Sequence, residues 1–244
     1  MIATPALILQ AFPYSETSRI LRLLTADHGL QSVIAKGARS PRSRFGAVLE
    51  PFTEGIATFH IKEGRDLHTL SGFDLVRSRQ GLGRGLLRFG GASLIAELLL
   101  RVGTESADPD LFESVRAAFD TIDQATDADL ESRVLAEAWA LIAHLGFAPS
   151  LEACITCDRP VEPDADVLFD YTAGGVRCPD CSAGVGGRIV PAAARDALRR
   201  LAAGEAITLP RTEAHWRLLA RYLSHHVLEG ASLKSFEFII TQKP

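Results

Sequence analysis

The chain has 244 residues, 47% of them hydrophobic and 23% charged, with a formal net charge of −4 and a pI near 6.0. That composition lies in the globular range and is long enough for more than one core. It excludes an overall basic signature, so any affinity for nucleic acid has to rest on local charge. The charge is in fact uneven: residues 1–80 carry ten Lys/Arg against seven Asp/Glu, whereas residues 108–166 carry three against fourteen.

Residues 2–76 hold short β-rich runs, ALILQAF, RILRLLT, QSVIAKG, GIATFHI and LHTLSGF, separated by turn signals such as Asp27-His28-Gly29 and Glu63-Gly64-Arg65. Strands at that spacing predict a small antiparallel barrel or sandwich. After the glycine-rich junction Gly81 to Gly85 the period becomes helical. The segment LLRFGGASLIAELLL is interrupted by Arg88 and Glu97, which fits a buried helix better than a membrane span. Asp108-Pro109 reads as an N-cap with proline at the first helical position, followed by Leu111, Phe112, Val115, Phe119 and Ile122 on one face. Thr126 with Asp129 resembles a capping box for a helix carrying Leu130, Val134, Leu141 and Leu145 and stopping at Gly146.

Beyond Pro149 comes the window that holds every cysteine, and then two further helices are expected. One starts at Pro191, with Leu198 and Leu201 inward, and ends at Gly204. The other runs from Thr212 through Trp216, Leu219, Leu223 and Val227 to Gly230. The tail LKSFEFII alternates like a strand and suits a last helix turn equally well. The start MIATPALILQAFPYSE lacks the basic region and long apolar stretch of a secretory signal, so a reducing, cytoplasmic home is expected, where thiols favour metal over disulfides.

Cys154 and Cys157 are two residues apart, as are Cys178 and Cys181, with twenty residues between the pairs. Two CxxC turns supply the tetrahedral four-thiolate set that zinc accepts, and a sphere closed by four protein ligands leaves no place for a catalytic water. One structural zinc ion is therefore expected. A thioredoxin-type pair would need a single CxxC in a βαβ setting, and a zinc deaminase would need an HxE that none of the seven histidines provides. GxxxxGK[ST], HExxH and GxSxG are absent, and Leu86 stands where a third glycine of GxGxxG would be. No catalytic residue is expected. His225 and His226, adjacent on a helix, point about 100° apart and make a poor acid–base pair.

KGARSPRSRFGAVLEPF places Lys36, Arg39, Arg42 and Arg44 within nine residues without an acid, on a stretch whose Gly, Ser and Pro content makes it a loop. A positive loop on a small barrel can follow a phosphate backbone, and Phe12, Tyr14, Phe45 and Phe52 stand nearby either to stack bases or to fill the core beneath. With Tyr14 to Leu21 (YSETSRIL), Thr25 to Gly29, LGFAPSLEACITCDRPV, TAGGVRCPDC and LKSFEFI, this stretch makes the chain resemble the RecO family of bacterial recombination mediators and DNA-repair proteins. The likeness spans nearly the whole chain in the family's order, and is weakest between residues 84 and 140.

The resemblance implies an α+β multidomain protein: an N-terminal OB-fold β-barrel, an α-helical domain and a four-cysteine zinc module. On this sequence those become an OB-fold domain at 1–80, a first helical part at 81–149, a zinc module at 150–187, and a helical return with the tail at 188–244. It also implies binding of single- and double-stranded DNA, strand annealing, and cooperation with RecR and with SSB in loading recombinase, with no bond made or broken. Arg19, Arg22, Lys36, Arg39, Arg42 and Arg44 are the expected phosphate contacts. The SSB C-terminal tail, acidic and aromatic-ended, needs a cation beside an apolar pocket, for which Arg116 and Arg133 are the candidates in the acidic helical segment, although both also suit intrahelical ion pairs. Two rivals stand beside this: a zinc-ribbon factor of transcription or translation, and a nuclease or DNA-modifying enzyme. The ribbon loop has only Arg159 and Arg177 against five acids, and no carboxylate cluster for an enzyme is visible.

Overall fold

The computed structural model describes residues 1–61, 64–205, 207–228 and 230–241, which form two compact units, 1–124 and 125–244. Glu63 of the expected Glu63-Gly64-Arg65 turn lies outside the described residues.

In the first unit, β1 (Ile2–Tyr14), β2 (Ser18–Thr25), β3 (Gly29–Ala35), β4 (Glu54–His60) and β5 (His68–Arg77) close into a barrel in the order β1-β2-β3-β5-β4. Strand alternation explains why. Ala6 and Ile8, Leu21 and Leu23, Val33 and Ala35, Ala57 and Phe59, and Leu70 and Phe73 all point inward and form one core. The barrel is OB-like, and the purely antiparallel expectation needs one correction: β5 runs parallel to β3, with Val33 opposite His68 and Ile34 opposite Thr69. The reason is closure. β4 sits between β1 and β5, so β5, antiparallel to β4, closes the barrel alongside β3 in the same direction.

The long connection from Lys36 to Thr53 turns inward at Phe45 and Leu49, which join the barrel core at 4% and 2% exposure. On the outside, α1 (Leu86–Val102) lies against β1, and α2 (Pro109–Gln124) packs beside it. Phe52 is held there between the rings of Phe89 and Phe119, with centroids 5.6 and 5.2 Å away. Asp108 caps α2 as expected, its Oδ1 accepting the Leu111 amide at 2.9 Å.

The second unit contains α3 (Leu130–His144), a three-stranded sheet of β6 (Val167–Asp170), β7 (Gly175–Arg177) and β8 (Arg188–Val190) in the order β7-β6-β8, then α4 (Ala192–Ala202), α5 (Glu213–His226) and α6 (Lys234–Thr241). Helices and sheet share a core: Tyr222 packs on Trp139 at 5.2 Å and on Phe169 of β6 at 6.2 Å. The tail is helical, because Phe236 and Ile239, three apart, are its buried positions and Phe236 packs on Trp216. Among the described residues no helix is long and apolar enough to cross a membrane.

Candidate metal centre and nucleic-acid interface

The four cysteines sit on two tight turns that the ribbon sheet brings together. Ile155 donates its amide to Val176 O, and Ser150 donates its amide to Gly174 O while its carbonyl accepts from the Val176 amide, so the first turn is stitched to β7. Asp158 closes the turn with φ +55, and its amide bonds back to Cys154 O at 2.9 Å. The second turn leaves β7 directly. Pro179–Cys181 form one 3-10 turn, with the Cys181 amide on Cys178 O at 3.0 Å.

All four Sγ atoms fall within 4.8 Å of one another, and Cys157 and Cys178 are 3.9 Å apart. A tetrahedron with metal–sulfur bonds near 2.3 Å has edges of roughly 3.8 Å, so the cluster can hold a metal ion with little rearrangement. The electrostatics are graded across it. Burial would raise the Cys154 thiol, but backbone amides of Cys178, Thr156 and Cys157 pull it down to about 6. The Arg159 guanidinium, its Nε 3.4 Å from the sulfur, lowers Cys157. Cys181 is pushed up to about 12 by the neighbouring sulfurs of Cys178 and Cys157, because a further negative charge is unwelcome there without a cation. The donor set suits a soft divalent ion and leaves no open position.

The ribbon's own arginines are committed. Arg159 also pairs with Asp180 at 2.9 Å, and Arg177 bonds Asp170 at 2.9 Å and the Thr156 hydroxyl. His226 is likewise occupied, its Nε2 2.7 Å from Tyr171 O, while His225 is exposed.

The six basic residues expected at the barrel are not equivalent. Lys36, Arg39, Arg42 and Arg44 are exposed on the connection after β3. Arg39 is tethered to the β1–β2 turn, its amide on Thr17 O at 2.8 Å and its Nη1 on Ser15 O at 3.2 Å. Arg44 reaches Leu70 O and lies 4.8 Å over the Phe45 ring. Lys36 and Arg42 have no side-chain polar partner among the described residues. Arg19 and Arg22, three apart on β2, belong to opposite faces: Arg19 shares the inward parity of Leu21 and pairs with Glu50 at 2.8 Å, while Arg22 faces outward opposite Gln10 and Ser32. Of the aromatics, Phe45 and Phe52 are core residues at 4% exposure, and Phe12 and Tyr14 stand out at 41% and 49%.

Arg116 and Arg133 fall in different units. Arg116 is clamped by Glu113 three residues away, and Arg133 is half-buried with no side-chain polar partner among the described residues. The sequence reasoning missed an apolar groove of about 740 Å³ in the second unit, floored by Ile189, Val190, Leu198 and Leu218 and flanked by Arg188, Arg217 and Arg221. Arg217 and Arg221, four apart on α5 beside Leu218, were the available signal. Also missed was Arg79, whose side chain, 1% exposed, bonds Asp120, Glu54 and Phe52 O.

An OB-like barrel followed by helices and a four-cysteine ribbon defines a class of multidomain protein rather than an activity. Family models described as Recombination protein O N terminal and Recombination protein O C terminal match residues 1–79 and 84–235. A DNA repair protein RecO from Anaeromyxobacter sp. (strain K) is 36% identical over 239 residues, covering 94% of this chain and 92% of its own length. The protein of that name from Bacillus subtilis (strain 168) is 30% identical over 177 residues, 72% of this chain and 66% of that one. The chain belongs to the RecO family of DNA repair proteins.

Proposed function

We propose that the protein is a recombination mediator: it binds single- and double-stranded DNA through the barrel, anneals complementary strands, and with RecR helps load recombinase onto SSB-coated DNA in the cytoplasm. It does so without catalysing a reaction. The observation that carries this is the exposed cluster of Lys36, Arg39, Arg42 and Arg44 on an OB-like barrel in a chain of this family. Each cation that meets a phosphate releases condensed counterions, and contacts to the backbone leave base edges free to pair.

The metal is zinc, held by Cys154, Cys157, Cys178 and Cys181, and its role is to brace the second unit. A factor that touched nucleic acid through its ribbon would need free cations there, and Arg159 and Arg177 are both spent on carboxylates. For the acidic SSB tail, the groove flanked by Arg188, Arg217 and Arg221 is a better match than Arg116, whose charge is met by Glu113. Arg133 remains a second candidate.

The test is annealing of complementary oligonucleotides, with and without SSB, at two salt concentrations. Faster annealing that weakens with salt is expected; magnesium-dependent cleavage, or no binding in dilute buffer, overturns the proposal. A fluorescent SSB tail peptide should lose affinity for the Arg217→Ala/Arg221→Ala protein at least about tenfold, since even one lost charged hydrogen bond is worth about 1.5–3 kcal/mol.

A further inference from the structure

The outward face of the β1–β2–β3 sheet is unlike the rest of the barrel. A register shift between Ile8 and Gln10 changes the parity of β1, so that Gln10, Phe12 and Tyr14 point outward, opposite Arg22, Ile20 and Ser18 of β2. Ile20 and Arg22 in turn face Ile34 and Ser32 of β3. The alternate positions Leu21, Leu23, Val33 and Ala35 are fully buried in the barrel core, which fixes the direction of the others. The outward rows read Gln10-Arg22-Ser32, Phe12-Ile20-Ile34 and Tyr14-Ser18, spaced about 7 Å apart along the strand. Two neighbouring aromatic rings are thus left 41% and 49% exposed on a rigid sheet, flanked by an arginine whose Nε has no partner among the described residues.

This stripe meets the basic connection directly. Arg39 is hydrogen-bonded through both amide and guanidinium to the turn that follows Tyr14, and Lys36 leaves the end of β3 beside it. Aromatic faces at about 7 Å intervals beside a positive track match one ligand chemistry, a nucleic-acid strand with unstacked bases, because every base offers a π-face and its phosphates run alongside. Duplex DNA cannot use the rings, since its bases are stacked on each other, yet it can use the cations.

We infer that Phe12 and Tyr14 form a base-stacking subsite for single-stranded DNA, separable from the Lys36–Arg44 track that holds phosphates of either form. The inference rests on the DNA-binding function proposed above and deepens it. The barrel then discriminates by strandedness: one strand is anchored through its bases, and the complement approaches along the cationic loop.

The test compares the full chain with Phe12→Ala/Tyr14→Ala, Lys36→Ala/Arg42→Ala and Phe12→Trp variants, using fluorescence anisotropy on an oligonucleotide and on a duplex of equal length over a salt series. Loss of the two rings should weaken single-strand binding at least about tenfold while duplex affinity changes less than twofold and the salt slope stays the same. Loss of the two cations should weaken both ligands and flatten the single-strand slope by about 1.4. The indole of Phe12→Trp should be quenched by the oligonucleotide and not by the duplex; Trp139 and Trp216, both fully buried, give a constant background. If the ring-less protein binds both ligands like the parent, or loses both equally, the stacking subsite is wrong and the DNA-binding function stands. If the parent binds neither, the function itself fails. A ring-less protein that binds DNA normally but no longer associates with a protein partner such as RecR would reassign the stripe to that partner.

Discussion

At the scale of single residues, the candidate metal centre is decided by what surrounds each sulfur. Cys154 is fully buried and receives three backbone N–H groups, so it is prepared to be a thiolate before any ion arrives. Replacing it with serine should abolish stoichiometric zinc, measured by metal analysis, and lower the melting temperature of the second unit, because binding energy at such a site is folding energy. The pH dependence of the metal-free protein follows from the same thiol. Its folded value, about 6, lies below the ordinary 9.0, so the stability it contributes is complete above pH 9 and is lost as pH falls from 9 through 6. Denaturant melts of the chelated protein across that range should show it, and Cys154→Ser should remove that component. The residue-level signal was fully legible in the sequence, since two CxxC turns encode their own geometry. The second-layer partner Arg159 was not, because its contact with Asp180 joins residues 21 apart that only the ribbon fold makes neighbours.

At the scale of elements, one buried cation organises the outside of the barrel. Arg79 joins Asp120 of α2, Glu54 of β4 and the Phe52 carbonyl, so helix, strand and connection share one charge. Arg79→Ala would leave Glu54 without its part-buried partner and Asp120 with Arg77 alone, and should cost about 3–5 kcal/mol in urea melts. Burial acts to raise Asp120, but Arg79 and Arg77 outweigh it and hold its carboxyl below the usual range. Its contribution is therefore present above that range and is lost as pH falls through the lowered value, and Asp120→Asn should blunt acid destabilisation of the first unit. The β2–β3 turn is constrained differently. Gly29 has φ +59, and a Cβ there would come within 2.3 Å of Ser106 O, so Gly29→Ala should destabilise by at least about 1–2 kcal/mol, the usual cost of the left-handed region for other residues. Strands, helices and the Asp108 cap were legible because each is encoded by local period and local chemistry. The Arg79 network was not, for no short-range pattern distinguishes a buried arginine from a solvated one.

At the scale of the whole molecule, the proposed function rests on charge that the composition hides. A chain of net charge −4 presents four exposed cations on one connection of its barrel, and affinity for DNA should fall steeply with salt on that account. The full quadruple change of Lys36, Arg39, Arg42 and Arg44 to alanine should reduce DNA affinity by several tens-fold or more in dilute buffer and flatten its salt slope by about 3 for single strands, read by anisotropy titrations. Arg19→Ala should do less to the slope and more to stability, since its guanidinium is tied to Glu50 and Leu49 O.

The sequence alone determined the order of strands, helices and ribbon, the four-cysteine set that could hold a metal, the basic loop and the family. All of these are written in nearby residues, through alternation, helical period, capping and CxxC spacing. Tertiary structure alone decided that β5 closes the barrel parallel to β3, that Arg19 takes the inward parity of β2 and Arg22 the outward one, and that Phe45 and Phe52 are core while Phe12 and Tyr14 are surface. The tail became a helix because Trp216 offered Phe236 a place to pack. The physical reason is common to all of these: each depends on which distant residues supply burial, and burial is a property of the closed fold rather than of any window along the chain.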